Sequence, residues 1–257
     1  MVGSRAAGSL LPDRWAAGVE VSRVGGLPPG QFESEAFPRF GLGKFAFRFP
    51  TNSEEVEIAV RGDVDTPLIV RDELGELPRV DQISDFHCVT TWSKCGLHWS
   101  GFRFRDFYQA IVEPRAAPQP GAGLVVLRSQ DGYDQSLPLE DLLAPDVLLA
   151  DRLDGHPLSI AHGAPIRLVA PAHYGYKNLK HVCSIEFWRD AREYRFAGPK
   201  FMDHRRARVA LEERGRGVPA WVLRRLYPTL IPPVRWLFRV TLASHERRAA
   251  DALTSRR

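Results

Sequence analysis

Proline and glycine set the strongest limit on how this chain folds, because 20 prolines and 21 glycines spread over 257 residues cut it into short pieces. Between the cuts, apolar residues recur mainly at the strand period. Val56, Ile58 and Val60 alternate with polar neighbours from Glu55 to Gly62, predicting a strand with one buried face. Other extended segments are Gln82 to Trp92, Trp99 to Phe104, L-V-V-L-R from Leu124, V-L-L-A from Val147 and I-R-L-V-A-P from Ile166. His181 to Phe187 is another, with Cys183, Ile185 and Phe187 on one face. R-D-E-L at Arg71 has room for one helical turn, Asp106 to Val112 reads as a short helix that Pro114 ends, and L-P-L-E-D-L-L-A-P as another short helix. Strands ten to twenty residues apart with single-turn helices between them predict a β-rich α+β domain.

Residues 1–30 are rich in Gly and Pro and read as an irregular lead-in, followed by a shaped aromatic loop, F-P-R-F-G-L-G-K-F-A-F-R-F-P. The main domain is expected over 31–195 and a basic C-terminal extension over 196–257. From Asp203 onward there are thirteen Arg, no Lys and five acids, a balance of +8. The preceding 202 residues hold 22 basic and 26 acidic residues, a balance of −4. The high isoelectric point therefore belongs to the extension, and nothing points the domain toward nucleic acid. Asp203 to Arg214 is expected to be a helix, and A-W-V-L-R-R-L-Y-P-T-L-I-P-P-V-R-W-L-F-R a proline-broken amphipathic segment. Such a segment either lies on a membrane or partner, or wraps back over the domain with its arginines reaching water; the second is favoured.

No apolar run approaches the roughly 18 residues of a membrane span. The N-terminal residues lack the apolar core of a secretory signal and a twin-arginine pair, so a cytoplasmic location is expected. Three cysteines, an odd number without a close pair, argue for reduced thiols. There is no G-x-G-x-x-G after a strand, no P-loop and no G-x-S-x-G elbow.

Two segments carry candidate chemistry. Asp85 to Trp99, D-F-H-C-V-T-T-W-S-K-C-G-L-H-W, packs two cysteines, two histidines and two tryptophans into one window. On that window alone a buried core cysteine is a better explanation than a metal ligand. A zinc site from His87, Cys88, Cys95 and His98 has suitable ligand types, but adjacent residues of a strand face opposite ways. A cysteine nucleophile would need His87, His98 or His173 within reach of Cys88. The second segment, H-G-A-P-I-R-L-V-A-P-A-H-Y-G-Y-K-N-L-K-H-V from His162, strings Arg167, Lys177 and Lys180 around a glycine-containing turn. That combination suits a phosphate with an attached polar ring, although basic loop residues are commonly just solvated.

Taken in order, D-F-H-C-V-T-T-W-S, W-S-G-F, S-L-P-L-E-D, D-G-H-P-L, H-G-A-P-I-R-L-V-A-P and Y-G-Y-K-N-L-K-H-V-x-x-I-E-F resemble the sulfite oxidase and protein-methionine-sulfoxide reductase family, collinearly over about 35–190. The resemblance implies a fold of mixed sheets that binds the molybdenum-molybdopterin cofactor, here with a helical C-terminal extension. It makes Cys88 the molybdenum ligand, a soft thiolate beside the dithiolene sulfurs. Arg167 and His162 are implied as pterin contacts, the family often having Asn at the latter position. Asn178, Lys180 and the Leu179 backbone are implied at the phosphate end. Ser129, Arg39 and Phe40 fall where the reductases have a hydroxyl contact and an F-x-x-F-G loop. His87, Lys94, His98 and Arg103 are substrate-side candidates by proximity to Cys88, and Cys95 is structural.

The haem and dimerisation domains of the family's sulfite-oxidising members are not expected in this chain, whose extension is too short and too proline-broken for the latter. The expected activity is two-electron oxygen-atom transfer on a small-molecule substrate of the sulfite, S-oxide or N-oxide class. An external electron-transfer partner is expected, with the arginine-rich extension as a place for it, or for a membrane surface, to dock. The rival is a cofactor-free or zinc-binding interaction module with the same fold.

Overall fold

A computed structural model describes residues 20–22, 26–192, 194–196 and 198–254. Its strands are β1 Glu20–Ser22, β2 Phe32–Glu33, β3 Ile58–Gly62, β4 Leu68–Val70, β5 Arg79–His87, β6 Trp92–Arg103, β7 Leu124–Ser129, β8 Asp134–Pro138, β9 Leu148–Leu153, β10 His156–Pro157, β11 Arg167–Val169 and β12 Val182–Trp188. The α-helical segments are α1 Phe104–Phe107, α2 Glu113–Ala116, α3 Leu139–Leu142, α4 Ala220–Leu226 and α5 Ile231–Thr254. One sheet runs β1-β5-β6-β9-β10, with β2 beside β6 and β11 beside β9; the other runs β4-β3-β12-β7-β8. Both are mixed, because β1, β2 and β3 pair in parallel with β5, β6 and β12 while the remaining pairs are antiparallel. This is the expected β-rich α+β class.

The apolar pattern explains where each strand sits. Along β9, Leu149 joins the main core with Phe102, Leu168, Val125, Leu127, Ile185 and Phe187, whereas Leu148 and Ala150 point the other way toward Leu97, Trp99 and Val169. Its continuous apolar run thus reflects burial on both faces. In β12, Ile185 and Phe187 are buried while Cys183 is only half-buried, because the register slips between Val182 and Ser184.

Several expectations need correction. The lead-in is not wholly irregular: Glu20–Ser22 adds an edge strand to β5, while residues 1–19 lie outside the described ones. The Gln82 to Trp92 segment is not one strand, since β5 ends at His87 and the chain turns through residues 88–91 into β6. Pro114 does not end the helix before it. A π-helical turn, Tyr108–Val112, joins α1 to α2, and Pro114 lies in the first turn of α2, where its missing N–H is not needed.

The extension also differs from expectation. Residues 203–214 are irregular rather than helical, with left-handed backbone at Ala207 and Glu212. Side chains there are committed to the domain or to each other: Arg206 pairs with Asp141 and Glu140, and Arg208 with Glu213 at 2.7 Å. Beyond them the expected break falls at Pro228, between α4 and α5, but not at the other two prolines. Pro228 lies in a 3-10 turn, Tyr227–Leu230, and Pro232 and Pro233 occupy the first turn of the 24-residue α5, where proline is tolerated. The extension wraps over the domain as favoured, burying Leu223, Tyr227, Ile231 and Phe238.

Gly101 marks the tightest seam in the larger sheet. A Cβ there would collide with the Leu149 carbonyl oxygen and lie 2.6 Å from Ala150 Cα, at the register shift between β6 and β9. Gly101→Ala is expected to lower unfolding free energy by about 1–3 kcal/mol. Urea denaturation checks this, as a reduced midpoint at unchanged slope.

Candidate functional site

Cys88 sits at the tip of the β5–β6 hairpin, and the tip is held from several sides. Cys88 N–H donates to the Trp92 carbonyl at 2.8 Å and Thr91 N–H to the Cys88 carbonyl at 3.1 Å. Thr91 takes φ 81°, a costly conformation for a β-branched residue. Gln31 Nε2 donates to the Cys88 carbonyl at 3.1 Å, and Arg214 Nη1 from the extension to the Val89 carbonyl at 2.8 Å. The thiol is 7% exposed and lies 3.1 Å from the Thr90 hydroxyl. Burial pushes the Cys88 thiol up, opposed by hydrogen bonds from Thr90 and by the charges of Arg214 and Lys180.

The distant basic segment docks directly on this hairpin. Gly175 N–H donates to the His87 carbonyl at 2.7 Å, and the Phe86 ring occupies the space that a Cβ on Gly175 would need. The approach of backbone to ring thus requires glycine. One cavity results, lined by Cys88, Thr90, Trp92, Arg39, Phe40, Ser129, Asn178, Leu179, Lys180, His181 and, from α5, Phe238.

On its walls and directly behind them stand cations whose hydrogen bonds go to neutral carbonyls. Arg167, with no exposed surface, donates to the carbonyls of His162 at 2.9 Å and Asn178 at 3.3 Å and lies 4.9 Å over the Trp99 ring. Burial lowers its pKa to about 9. Arg39 donates to the carbonyls of Ala46, Phe45 and Arg48 and lies over the rings of Phe49 and Phe238. Its pKa falls to about 10, again through burial. Lys180 Nζ donates to the Ala161 carbonyl at 2.9 Å. Burial first, then the charges of Arg167 and Arg39, bring its pKa to about 7. A further donor waits on the wall: the buried Trp92 indole N–H has no hydrogen-bond partner among the described residues. Buried donors ordinarily have partners.

Other expected residues stand apart from the cavity or are already occupied. His162 lies behind Phe37, stacked on it at 5.0 Å. Its Nε2–H donates to the Phe37 carbonyl, so Nδ1 accepts from the Ser159 hydroxyl. Lys177 turns away to the Ser136 carbonyl and Asp203, with its pKa lowered to about 8 by burial. Asn178 lines the cavity, yet its amide braces the loop through Ala170, His173 and Tyr174. The Leu179 N–H is bonded to the Lys177 carbonyl at 3.0 Å. Ser129 is buried on the cavity wall, with Asp131 N–H donating to its hydroxyl at 3.4 Å.

The substrate-side candidates are corrected by the length of β6. At roughly 3.3 Å per residue, His98 lies about 20 Å and Arg103 about 35 Å along the strand from the tip, and Arg103 bonds the Pro145 carbonyl. None of Lys94, His98 and Arg103 lines the cavity. His87 donates from Nδ1 to Ser93 Oγ at 2.8 Å, and that hydroxyl donates to Gln31. His173 donates to the Arg206 carbonyl. Among the described residues, no three His, Cys, Asp or Glu side chains converge as a metal site, which removes the zinc arrangement of His87, Cys88, Cys95 and His98.

Four contributors were not anticipated. His181 ends the basic segment; its Nδ1–H is bonded to the Ala164 carbonyl and its pKa is lowered to about 4, mainly by burial. Its presence beside Lys180 in K-N-L-K-H was the available signal. Trp92 was visible only as an aromatic. Arg214 and Phe238 come from the extension, and nothing local in L-E-E-R-G-R-G or W-L-F-R points them toward Cys88.

A soft thiol at one end and, at the other, cations that hydrogen-bond no carboxylate and are offset only by the nearby charge of Asp131 are the features of a site suited to an anionic, metal-bearing cofactor. Sequence comparison gives a protein with such a site its family. Residues 46–196 match the oxidoreductase molybdopterin-binding domain, and the chain belongs to this family of oxidoreductases. It is 32% identical over 167 residues to the uncharacterized oxidoreductase YuiH of Bacillus subtilis, covering 65% of this chain and 81% of that protein. It is 29% identical to the protein-methionine-sulfoxide reductase catalytic subunit MsrP of Campylobacter jejuni, covering 54% of this chain and 51% of MsrP. Among solved structures, the sulfane dehydrogenase SoxCD of Paracoccus pantotrophus superimposes with a TM-score of 0.49 at 20% identity, over 58% of this chain and 42% of that one.

Arg214→Ala leaves the Val89 and Pro29 carbonyls without their donor. The substitution is expected to cost about 3 kcal/mol and to loosen the tip. Alkylation of Cys88, followed by mass spectrometry against the half-buried Cys95 and Cys183, should accelerate about tenfold or more.

Proposed function

We propose that this protein is a molybdenum-dependent oxygen-atom-transfer enzyme in which Cys88 ligates the metal and the cationic wall holds the pterin and its phosphate. The observation that carries this reading is the pairing, within one cavity, of a buried thiol with Arg39, Lys180 and an unpartnered Trp92 N–H. Arg167 supports the same wall from behind. Buried charge is costly unless compensated, and an anionic ligand supplies the missing compensation. When bound, the cofactor contributes a two-electron exchange in which an oxygen atom passes to or from the substrate.

The chain's own residues divide the remaining work. Cys88 must give up its proton to ligate, and the positive charges of Arg214 and Lys180 favour its thiolate. Gln31 and Arg214 hold the backbone on either side of it, keeping the sulfur at one position. Phe37, Phe40 and Phe238 exclude water from the adjoining walls. Lys180, near neutrality, accepts or sheds a proton as anionic charge is added beside it.

The substrate class proposed is a small S-oxide, N-oxide or sulfite. S-oxides come first, because one relative bears the name of a protein-methionine-sulfoxide reductase. Electrons are proposed to pass to or from an external partner. Protein from a molybdenum-replete host, assayed with artificial donors and acceptors across these substrates, tests the activity. Cys88→Ser is expected to abolish turnover and lower bound molybdenum while pterin fluorescence of the denatured protein is largely retained. Full activity of that variant, or folded protein devoid of molybdenum, overturns the reading.

Proton linkage gives a second test. Lys180 has a folded pKa of about 7, below its unfolded value of 10.5. The ligand-free fold therefore binds fewer protons than the unfolded chain between those values, and Lys180 contributes stability that rises with pH there. An anion beside Lys180 raises its pKa, so binding above pH 7 takes up a proton and weakens by up to about tenfold per pH unit. The thermal shift on cofactor loading is expected to shrink between about pH 6 and pH 9. Lys180→Met should flatten that dependence, and an undiminished slope in this variant contradicts the assignment.

A further inference from the structure

The outer surface of the extension exposes several large apolar side chains, and it is cationic. Trp221 and Trp236 are 63% and 58% exposed, and Leu226, Leu230 and Val240 are exposed beside them in sequence. From Arg216 to His245 the chain has no acidic residue and five arginines, of which Arg216, Arg225, Arg235 and Arg239 are exposed. On α5, Ile231, Phe238 and Thr241 are buried against the protein. Trp236, Val240 and Ala243, at i, i+4 and i+7, form a stripe on the opposite, exposed face. Arg235 and Arg239 flank that stripe, and on α4 Arg225 lies one turn from Trp221.

We propose that α4 and α5 dock this protein onto the surface of an anionic phospholipid bilayer. Exposed tryptophans with arginines at their sides suit the boundary between headgroups and acyl chains, where the indole settles and the guanidinium meets phosphate. The charge pattern selects the occupant. A second copy would bring the same acid-free surface against itself, whereas an anionic leaflet attracts each exposed arginine. Attachment is peripheral, because no helix of the described residues is long and apolar enough to cross a membrane. The inner face of the same helix contributes Phe238 to the cavity wall, so docking would hold the cavity close to the lipid surface. The proposal is independent of what the cavity binds.

Flotation of the purified full chain with vesicles of phosphatidylcholine, alone or mixed in equal parts with phosphatidylglycerol, tests this at low and high salt. Binding is expected to the anionic vesicles and to weaken with salt. Replacing Arg225, Arg235 and Arg239 with Gln should reduce partitioning about a hundredfold. Trp221→Ser with Trp236→Ser should reduce it at least about tenfold, with an unchanged melting curve because both side chains are exposed. Absence of flotation with anionic vesicles overturns the proposal, as does flotation that the tryptophan substitutions leave unchanged. Self-association or protein capture through these residues without vesicle binding assigns the surface to another class of partner and equally overturns it.

Discussion

The hydrogen bond from Gly175 N–H to the His87 carbonyl, 2.7 Å long, is the contact on which the arrangement of the site depends. It joins the end of β5 to a loop nearly ninety residues later, and the packing of Phe86 over Gly175 leaves no room for a side chain at that crossing. From there the two segments diverge around the cavity. The hairpin carries Cys88 to one wall, and the loop carries Lys180 and His181 to another. Neither segment makes a binding site alone. A cysteine in a turn is inert when buried and protonated, and a lysine in a loop is ordinarily solvated.

That crossing also explains what could be read beforehand and what could not. The strand pattern was legible wherever alternation or a continuous apolar run was present, as in β3, β7, β9 and β12. Cys88, Arg39, Phe40, Ser129, Asn178, Leu179 and Lys180, all marked by ordered motifs, reach one cavity. Arg167 was marked as well and lies buried behind the wall. His162, Lys177, His98 and Arg103 do not line that cavity, for a shared physical reason. Sequence proximity does not report direction along a strand, and it does not report which carbonyl or carboxylate a side chain will find first. Lys177 finds Asp203, and His162 finds the Phe37 carbonyl. Residues 203–214 read as helical, yet Arg206 pairs with Asp141 and Glu140 of the domain while Arg208 and Arg214 pair with Glu213 and Glu212 of the segment itself, and the backbone follows those ion pairs.

The electrostatics of the cavity run against stability. Arg167 and Arg39 give up hydration and receive carbonyl dipoles and ring faces in return, with no carboxylate hydrogen-bonded to either. Such groups lower the stability of the ligand-free fold and raise the gain from an anion that enters. Distributing the charge over Arg39, Arg167 and Lys180 spreads that cost across several elements: the aromatic loop, β11 and the turn before β12. Burial, and after it the charges of Arg167 and Arg39, bring Lys180 to titrate near neutrality, while burial alone lowers the two guanidiniums, which remain charged.

The extension belongs to this balance rather than standing outside it. The family match ends at residue 196, but Arg214, eighteen residues further on, is fully buried and donates to both the Val89 and Pro29 carbonyls. Tyr174 lies beneath its guanidinium at 5.1 Å, and Glu212 and Arg224 share its surroundings. Ile231 then packs against Cys88 and Trp92, and Phe238 stacks near Phe40. A segment that supplies a buried cation to the hairpin tip and two apolar side chains to the site cannot be removed as a unit without exposing Cys88. The same α5 therefore has two roles imposed by its two faces. The inner face completes the cysteine's environment, and the outer face is left apolar and cationic.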